Sequence, residues 1–380
     1  MASVKRPPIA LFGYDSSPFT QKVRLALRLM RIPYTYVLVP SMMPRPILVN
    51  NFNLTYRKIP VLAIGKEVFA DTSLIVEWLD SHPAIQAHDR DGTIRRLHED
   101  AGTRVLSRLL TSYVTDRPLF RLTTGLIPSV VWRSHFGTDR AELIGHKLDP
   151  DKLEGKVSLN LAGLDTFLSI IEPLFAGINK QGRWILGGKE PSAIDIGFYY
   201  QLDWGEKISR GDGIRNLTGG EIEDGTGRGA SEVFNQERYP GVWDWFHRFE
   251  KHVESLPDHE TRIEQKDEQG LEELLSKLEE SERSDEVPLL PTPNQQLQHL
   301  EEQNGLRIGA KASVRPADTG QWDPTVGTLV GISPEEVVIE PDKPGVVGKE
   351  GTKARIEGIR LHFPRIEFVV RPAKQSASKL

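Results

Sequence analysis

Three hydroxyl-bearing residues, Tyr14, Ser16 and Ser17, stand together immediately before Pro18. After them Phe19, Val23, Ala26, Leu27 and Met30 recur at the spacing of one helix face. Lys22, Arg24, Arg28 and Arg31 are read as lying largely off that face. Ser17 falls where a helix N-cap belongs and Pro18 where the first helical residue belongs. Upstream, the apolar run Ile9-Ala10-Leu11-Phe12 ends at Gly13 and reads as a strand. A strand–turn–helix unit would hold these hydroxyls at a helix N-terminus, where free N–H groups and the positive dipole end favour an anion. A thiolate is such an anion, since nearby positive potential lowers a thiol pKa from about 8.5. The plainer role for Ser17 is to cap the helix.

The chain cannot supply that thiol itself, because its 380 residues include no cysteine. Disulfides, a cysteine nucleophile and thiolate metal sites are excluded, and no metal site is expected. A thiol would have to arrive on a ligand. The length suits two or three domains, and 38% hydrophobic residues suit ordinary globular cores. The net charge of −5 argues against a nucleic-acid partner. Met1 to Pro8 is too short and polar for a signal peptide. No apolar run approaches the roughly 18 residues of a bilayer span, so no membrane span is expected. Ser378-Lys379-Leu380 matches the receptor-read peroxisomal address on a polar, accessible tail over 373–380. The expected location is therefore the peroxisome, with its import receptor as a partner.

The elements that would position the hydroxyls follow in order. Tyr34 to Val39 reads as a second strand, and Pro40 to Arg57 as a loop with room for a short helix. Lys58-Ile59-Pro60-Val61-Leu62 leads into a third strand, Gly65-Lys66 turns it, and Glu67 to Ala70 returns. Asp71-Thr72-Ser73 opens a helix with Leu74, Ile75, Trp78 and Leu79 on its apolar face. The order β-α-β-loop-β-β-α, with Ser17-Pro18-Phe19, Lys58-Ile59-Pro60-Val61 and Asp71-Thr72 at these spacings, resembles the thioredoxin-like domain of glutathione S-transferases. The resemblance covers residues 8–82, and a helical domain like theirs would follow over 93–257.

That resemblance implies a glutathione site. Pro60 would be the cis-proline of the site, Val61 would offer backbone hydrogen bonds to the cysteinyl part, Lys58 and Ile59 would belong to the same binding segment, and Asp71 and Thr72 would hold the γ-glutamyl end. The thiol-activating hydroxyl would be Ser17, then Ser16, then Tyr14 in order of preference. Two departures stand out. Asp71-Thr72 replaces the family's common Glu-Ser, one methylene shorter. Ser17 replaces the cysteine of the reductase-like classes, so deglutathionylating chemistry is not expected.

In the helical part, Leu97, Ala101, Val105 and Leu109, and later Leu159, Leu164, Phe167, Leu168 and Ile171, mark apolar stripes. Ser192 and Asp195 form a capping box at a further helix. Tyr113, Arg117, Phe120, Arg121, Trp132, Arg133, His135 and Phe136 are candidates for an acceptor pocket, although helix core plus a solvated basic face is the plainer reading. Gly225-Thr226-Gly227-Arg228-Gly229 lacks the strand and Lys-Ser/Thr of a phosphate loop. Residues 258–304 read as a charged linker with short helices, one carrying Leu271, Leu274, Leu275 and Leu278. Strand candidates at 312–315, 328–331, 337–340, 354–359 and 366–370 predict a small β-domain over 305–372, a barrel or sandwich of SH3-like size. His362 is read as structural.

The fold class expected is thus multidomain: an α/β thioredoxin-like domain, an all-α domain and a small all-β domain. The expected function is a glutathione-dependent enzyme that conjugates or otherwise processes an electrophilic small molecule, with glutathione as cosubstrate and a homodimer as the family's assembly. The alternatives are an isomerase or lyase of the same fold that does not consume glutathione, and a non-catalytic binding scaffold.

Overall fold

The computed structural model describes residues 7–81, 85, 94–225, 227, 229–341 and 356–373. Most of the segment 81–92, two residues of the Gly225–Gly229 run, part of the 354–359 strand candidate and the Ser378-Lys379-Leu380 tripeptide lie outside them.

The N-terminal part is built as β1 (Ile9–Gly13), α1 (Pro18–Met30), β2 (Tyr34–Leu38), α2 (Pro46–Phe52), β3 (Val61–Ile64), β4 (Glu67–Ala70) and α3 (Thr72–Ser81). β1 pairs in parallel with β2 (Leu11 opposite Tyr36) and antiparallel with β3 (Leu11 opposite Leu62), and β4 pairs antiparallel with β3. Alternation along each strand separates two cores. Leu11, Leu62 and Phe69 face α1, α3 and the helical part, whereas Phe12, Val61 and Ala70 face the opposite layer with Leu48 and Phe52 of α2. One expectation is corrected here. Lys22 is 2% exposed, not solvated. It lies three residues after Phe19 and four before Ala26, so it shares their face.

The helix Ala101–Leu110 passes through a π-helical run, Thr111–Leu119, into the helix Phe120–Thr124. Pro118 lies inside that run, and the wider turn suits a residue with no N–H to give. Helices Val157–Lys180, Ala193–Arg210 and Pro240–Ser255 complete the bundle. At the start of the second of these, Asp195 is fully buried and accepts from Ile185 N, Ser192 N, Ser192 Oγ and Trp245 Nε1 at 2.9–3.1 Å. Burial raises its pKa against these four donors. The expected apolar stripes are only partly core, since Val105, Leu109 and Leu159 are exposed. By length and composition Val157–Lys180 could cross a bilayer, contrary to the reading of its sequence. Here Leu164, Leu168, Phe175 and Ile178 are buried, and Glu172 accepts from Gly241 N and Val242 N.

The C-terminal third departs most from expectation. It forms β5 (Glu260–Ile263), the helices Glu268–Glu279 and Gln298–Gln303, then β6 (Lys311–Pro316), β7 (Thr325–Ile332), β8 (Glu336–Pro341), β9 (Arg360–Pro364) and β10 (Phe368–Pro372). These strands do not make a sheet of their own. All ten strands form one sheet in the order β10-β6-β7-β8-β9-β4-β3-β1-β2-β5. β9 pairs in parallel with β4, Glu67 opposite Arg360 and Phe69 opposite His362. β5, inside the expected linker, pairs in parallel with β2. The separate barrel or sandwich is therefore corrected to an extension of the N-terminal sheet at its β4 edge, and the linker to a segment that adds β5 at the β2 edge. Leu274, Leu275 and Leu278 of the helix Glu268–Glu279 join the core beneath α2.

The β4–β9 seam is closed by charge. His362, fully buried, bridges Glu336 Oε1 through Nδ1 at 2.6 Å and Glu67 Oε2 through Nε2 at 2.7 Å. Arg360, 2% exposed, reaches Glu67 Oε1 at 3.1 Å and the carbonyls of Ser284 and Glu286. Glu336 Oε2 accepts from Leu290 N. Two cations and two carboxylates thus meet inside the sheet, as burial of charge requires, with Arg360 Nε alone of their polar atoms left without a hydrogen-bond partner among the described contacts.

Candidate active site

A cavity of about 590 Å³ opens where the N-terminus of α1, the loop before β3, the start of α3 and the helical part converge. Ser17 lines it. The side chain is 2% exposed, caps α1 and accepts from Thr20 N at 3.2 Å. A hydroxyl that accepts one such bond keeps its own proton to donate, and the described contacts leave that proton uncommitted. Ser16 does not line the cavity. Its N–H and hydroxyl both donate to Asn216 Oδ1, at 2.9 and 2.8 Å, and its carbonyl accepts from Trp204 Nε1. Tyr14 lines the cavity, and its hydroxyl accepts from Arg140 Nη2 at 3.4 Å.

The other expected residues converge unevenly. Ile59 and Pro60, joined by a cis peptide bond, line the cavity. Val61 does not; its side chain is buried among Phe12 and Ala63, which leaves only its backbone for the role expected of it. Lys58 lines it with its ammonium on Asp318 Oδ1 at 2.6 Å. Asp71 lines it in the left-handed region, φ +73°, a conformation that costs a non-glycine residue about 1–3 kcal/mol and marks functional sites more often than chance. Asp71 Oδ1 is held by Ser73 N and Ser73 Oγ, at 2.9 and 2.7 Å. No described contact engages Oδ2. Thr72, 5% exposed, accepts from Lys22 Nζ at 3.0 Å, and Lys22 pairs with Asp116 at 2.6 Å. Tyr200 donates to the same carboxylate at 2.7 Å. Because the lysine already fills an acceptor site on Thr72 Oγ1, the threonine proton is left to donate outward.

Among the acceptor-pocket candidates, Arg117, Phe120, Arg121, Trp132 and Phe136 line the cavity, although Phe136 also belongs to a buried core cluster and Arg121 is exposed, as the plainer reading has it. Tyr113, Arg133 and His135 do not. Arg133 pairs with Asp151 at the surface and His135 with Glu221.

Sequence reading missed Lys22, Arg45, Asp116 and Arg140. Arg45 lines the cavity, is 4% exposed, and gives its guanidinium N–H groups to the carbonyls of Pro40, Ser41 and Arg57. Burial pulls its pKa down to about 10, so it stays charged at neutral pH with no carboxylate on it among the described contacts. The site also includes Asp318, Thr319, Ile366, Glu367 and Phe368, contributed by the C-terminal strands. Proximity to Pro18 gave a signal for Lys22, through its spacing from Phe19. None exists for residues 250 positions further on.

With this geometry in place, comparison with known proteins shows what the chain is similar to. Residues 11–87 match the glutathione S-transferase N-terminal domain family. The chain is 32% identical over 76 residues to glutathione S-transferase U4 of Arabidopsis thaliana, covering 20% of this chain and 34% of that protein. It is 24% identical over 253 residues to glutathione S-transferase U11 of the same plant, covering 66% of this chain and 86% of that protein. The match thus spans about a third of the length of the most similar of these relatives. The solved structure of a GST-like protein from Pseudomonas syringae superposes with TM-score 0.61 at 21% identity over 97% of this chain and 100% of that one. At that identity the likeness speaks to fold alone, and it takes in the C-terminal strands. Residues 11–87 thus carry a domain of the glutathione S-transferase N-terminal type, and the chain as a whole is similar to glutathione S-transferases.

Proposed function

We propose that the cavity binds glutathione and that the protein joins its sulfur to an electrophilic small molecule. The observation that carries this reading is the convergence of an uncommitted Ser17 proton, at a capped helix N-terminus, with the strained Asp71 and the outward-donating Thr72. The α-ammonium of glutathione would meet Asp71 Oδ2, and its α-carboxylate would take the Thr72 proton and the N–H groups opening α3. Arg45 would offer its unpaired charge to the other carboxylate. Ser17 would donate to the sulfur, stabilising the thiolate once its proton has gone to solvent. That thiolate forms the new C–S bond as the acceptor's leaving group departs or its double bond takes the electron pair.

Calorimetry tests the reading: heat of binding at millimolar glutathione is expected, and none would end it. Asp71→Asn is expected to weaken glutathione binding about tenfold, the size of one charge-assisted hydrogen bond. Conversion of an acceptor without loss of glutathione would select isomerase or lyase chemistry. We also propose that Ser378-Lys379-Leu380 directs import into peroxisomes; a fluorescent fusion lacking the tripeptide is expected to stay in the cytosol.

A further inference from the structure

Two loops of the C-terminal strands reach the cavity and are anchored to both of its sides. In the β6–β7 loop, Gly320 N donates to Leu143 O at 2.7 Å on the helical side. On the other side, Asp318 holds Lys58 and Thr55 Oγ1 donates to Pro324 O at 3.1 Å. In the β9–β10 turn, Glu367 pairs with Arg117 of the π-helical run at 2.7 Å. Glu367 is held at φ +59°, the left-handed region again. Its neighbour Phe368 packs its ring 6.0 Å from Tyr56 and 5.9 Å from Phe363. The same cavity wall therefore carries a fixed apolar ring and a fixed carboxylate side by side.

We propose that the C-terminal strands complete the acceptor compartment, and that Glu367 and Phe368 are specificity-determining residues selecting a flat, uncharged acceptor over one bearing a carboxylate or sulfonate. Phe368, with Phe120 and Trp132 across the cavity, offers aromatic faces, which take flat rings by stacking or edge contact. Glu367 neutralises Arg117, the cation an acidic acceptor would otherwise find, and repels a second carboxylate beside it. Arg57 and Arg140 share Asp139, and Arg57 also lies 3.8 Å from Glu142 and 3.7 Å from Asp323; Arg45 is the cation assigned above to glutathione. Arg121 is left at the rim, exposed, where solvent screens it.

The proposal rests on the glutathione-dependent reading only in naming the compartment the acceptor's; the selectivity itself is read without glutathione. Two dyes with the same rings, neutral N-phenylnaphthylamine and anionic anilinonaphthalene sulfonate, are titrated into the full chain by fluorescence. The wild type is expected to bind the neutral dye more tightly. Glu367→Gln is expected to move the ratio of dissociation constants toward the sulfonate about fivefold, an effect of one partly exposed charge, without weakening the neutral dye. Phe368→Ala is expected to weaken both dyes about tenfold, as loss of a buried aromatic contact does. An unchanged melting temperature in Glu367→Gln separates selectivity from unfolding. A ratio unmoved by Glu367→Gln, a wild type that prefers the sulfonate, or no dye binding at all overturns the proposal. A shifted ratio with no heat from glutathione would leave it standing and sink the proposed transferase function.

Discussion

His362→Leu is expected to remove about 3–5 kcal/mol of stability, the usual cost of breaking a buried charge network from one side. The substitution leaves Glu336 without its cation and Glu67 with Arg360 alone. Urea unfolding measures the loss, and faster amide exchange in β4 and β9 locates it. The wild-type seam should also respond to pH. Burial disfavours the charged imidazolium, but the hydrogen bonds and charges of Glu336 and Glu67 outweigh it and raise the pKa of His362 from 6.5 to about 9. A pKa raised by folding contributes stability that is complete below about pH 6.5 and is lost as pH climbs through about 9. Wild type should therefore lose stability over that window, and His362→Leu should not show that loss.

Ser17→Ala is expected to lower turnover about a hundredfold, the scale of removing one donor aimed at a developing anion. The Michaelis constant for glutathione should change little, because Asp71, Thr72 and Arg45 remain. The pH–rate profile should move toward the unperturbed thiol, about 8.5 or above, while Ser17→Thr, which keeps the hydroxyl, restores it. The variant also loses an N-cap, worth about 1 kcal/mol, so a melt accompanies the kinetics. Ser16→Ala is the matched control: its hydroxyl is spent on Asn216, and turnover should stay within about threefold, the factor that a change of less than 1 kcal/mol makes.

The strand–turn–helix around Ser17 was readable because its signals are local: an apolar strand, a cap, a proline and a 3.6-residue stripe. The same holds for the turn at Gly65-Lys66 and the capping box at Ser192 and Asp195, which the structure contains. β5 was not readable. Its Glu260 and Arg262 pair with Arg24 and Asp15 rather than entering a core, and short charged edge strands look like linker. β9 was placed six residues early because Arg360 and His362, buried, read as polar interruptions, while Ile356 and Ile359 read as a strand. Only Glu67, nearly 300 positions away, makes those polar residues acceptable in a sheet. The site was half legible for the same reason. Pro60 and Asp71 belong to local motifs, whereas the roles of Asp116, Asp318 and Glu367 depend on where distant segments arrive.

The parallel pairing of β4 with β9 has a consequence in time. Residue 360 leaves the ribosome long after residue 67, roughly 15–60 s later at about 5–20 residues per second. Through that interval the N-terminal sheet has an unpaired strand edge, and Glu67 has neither Arg360 nor His362 to meet it. An open edge of that kind invites other strands. A chain that stops late in translation, before β9 is made, would therefore keep the β4 edge and Glu67 unpaired.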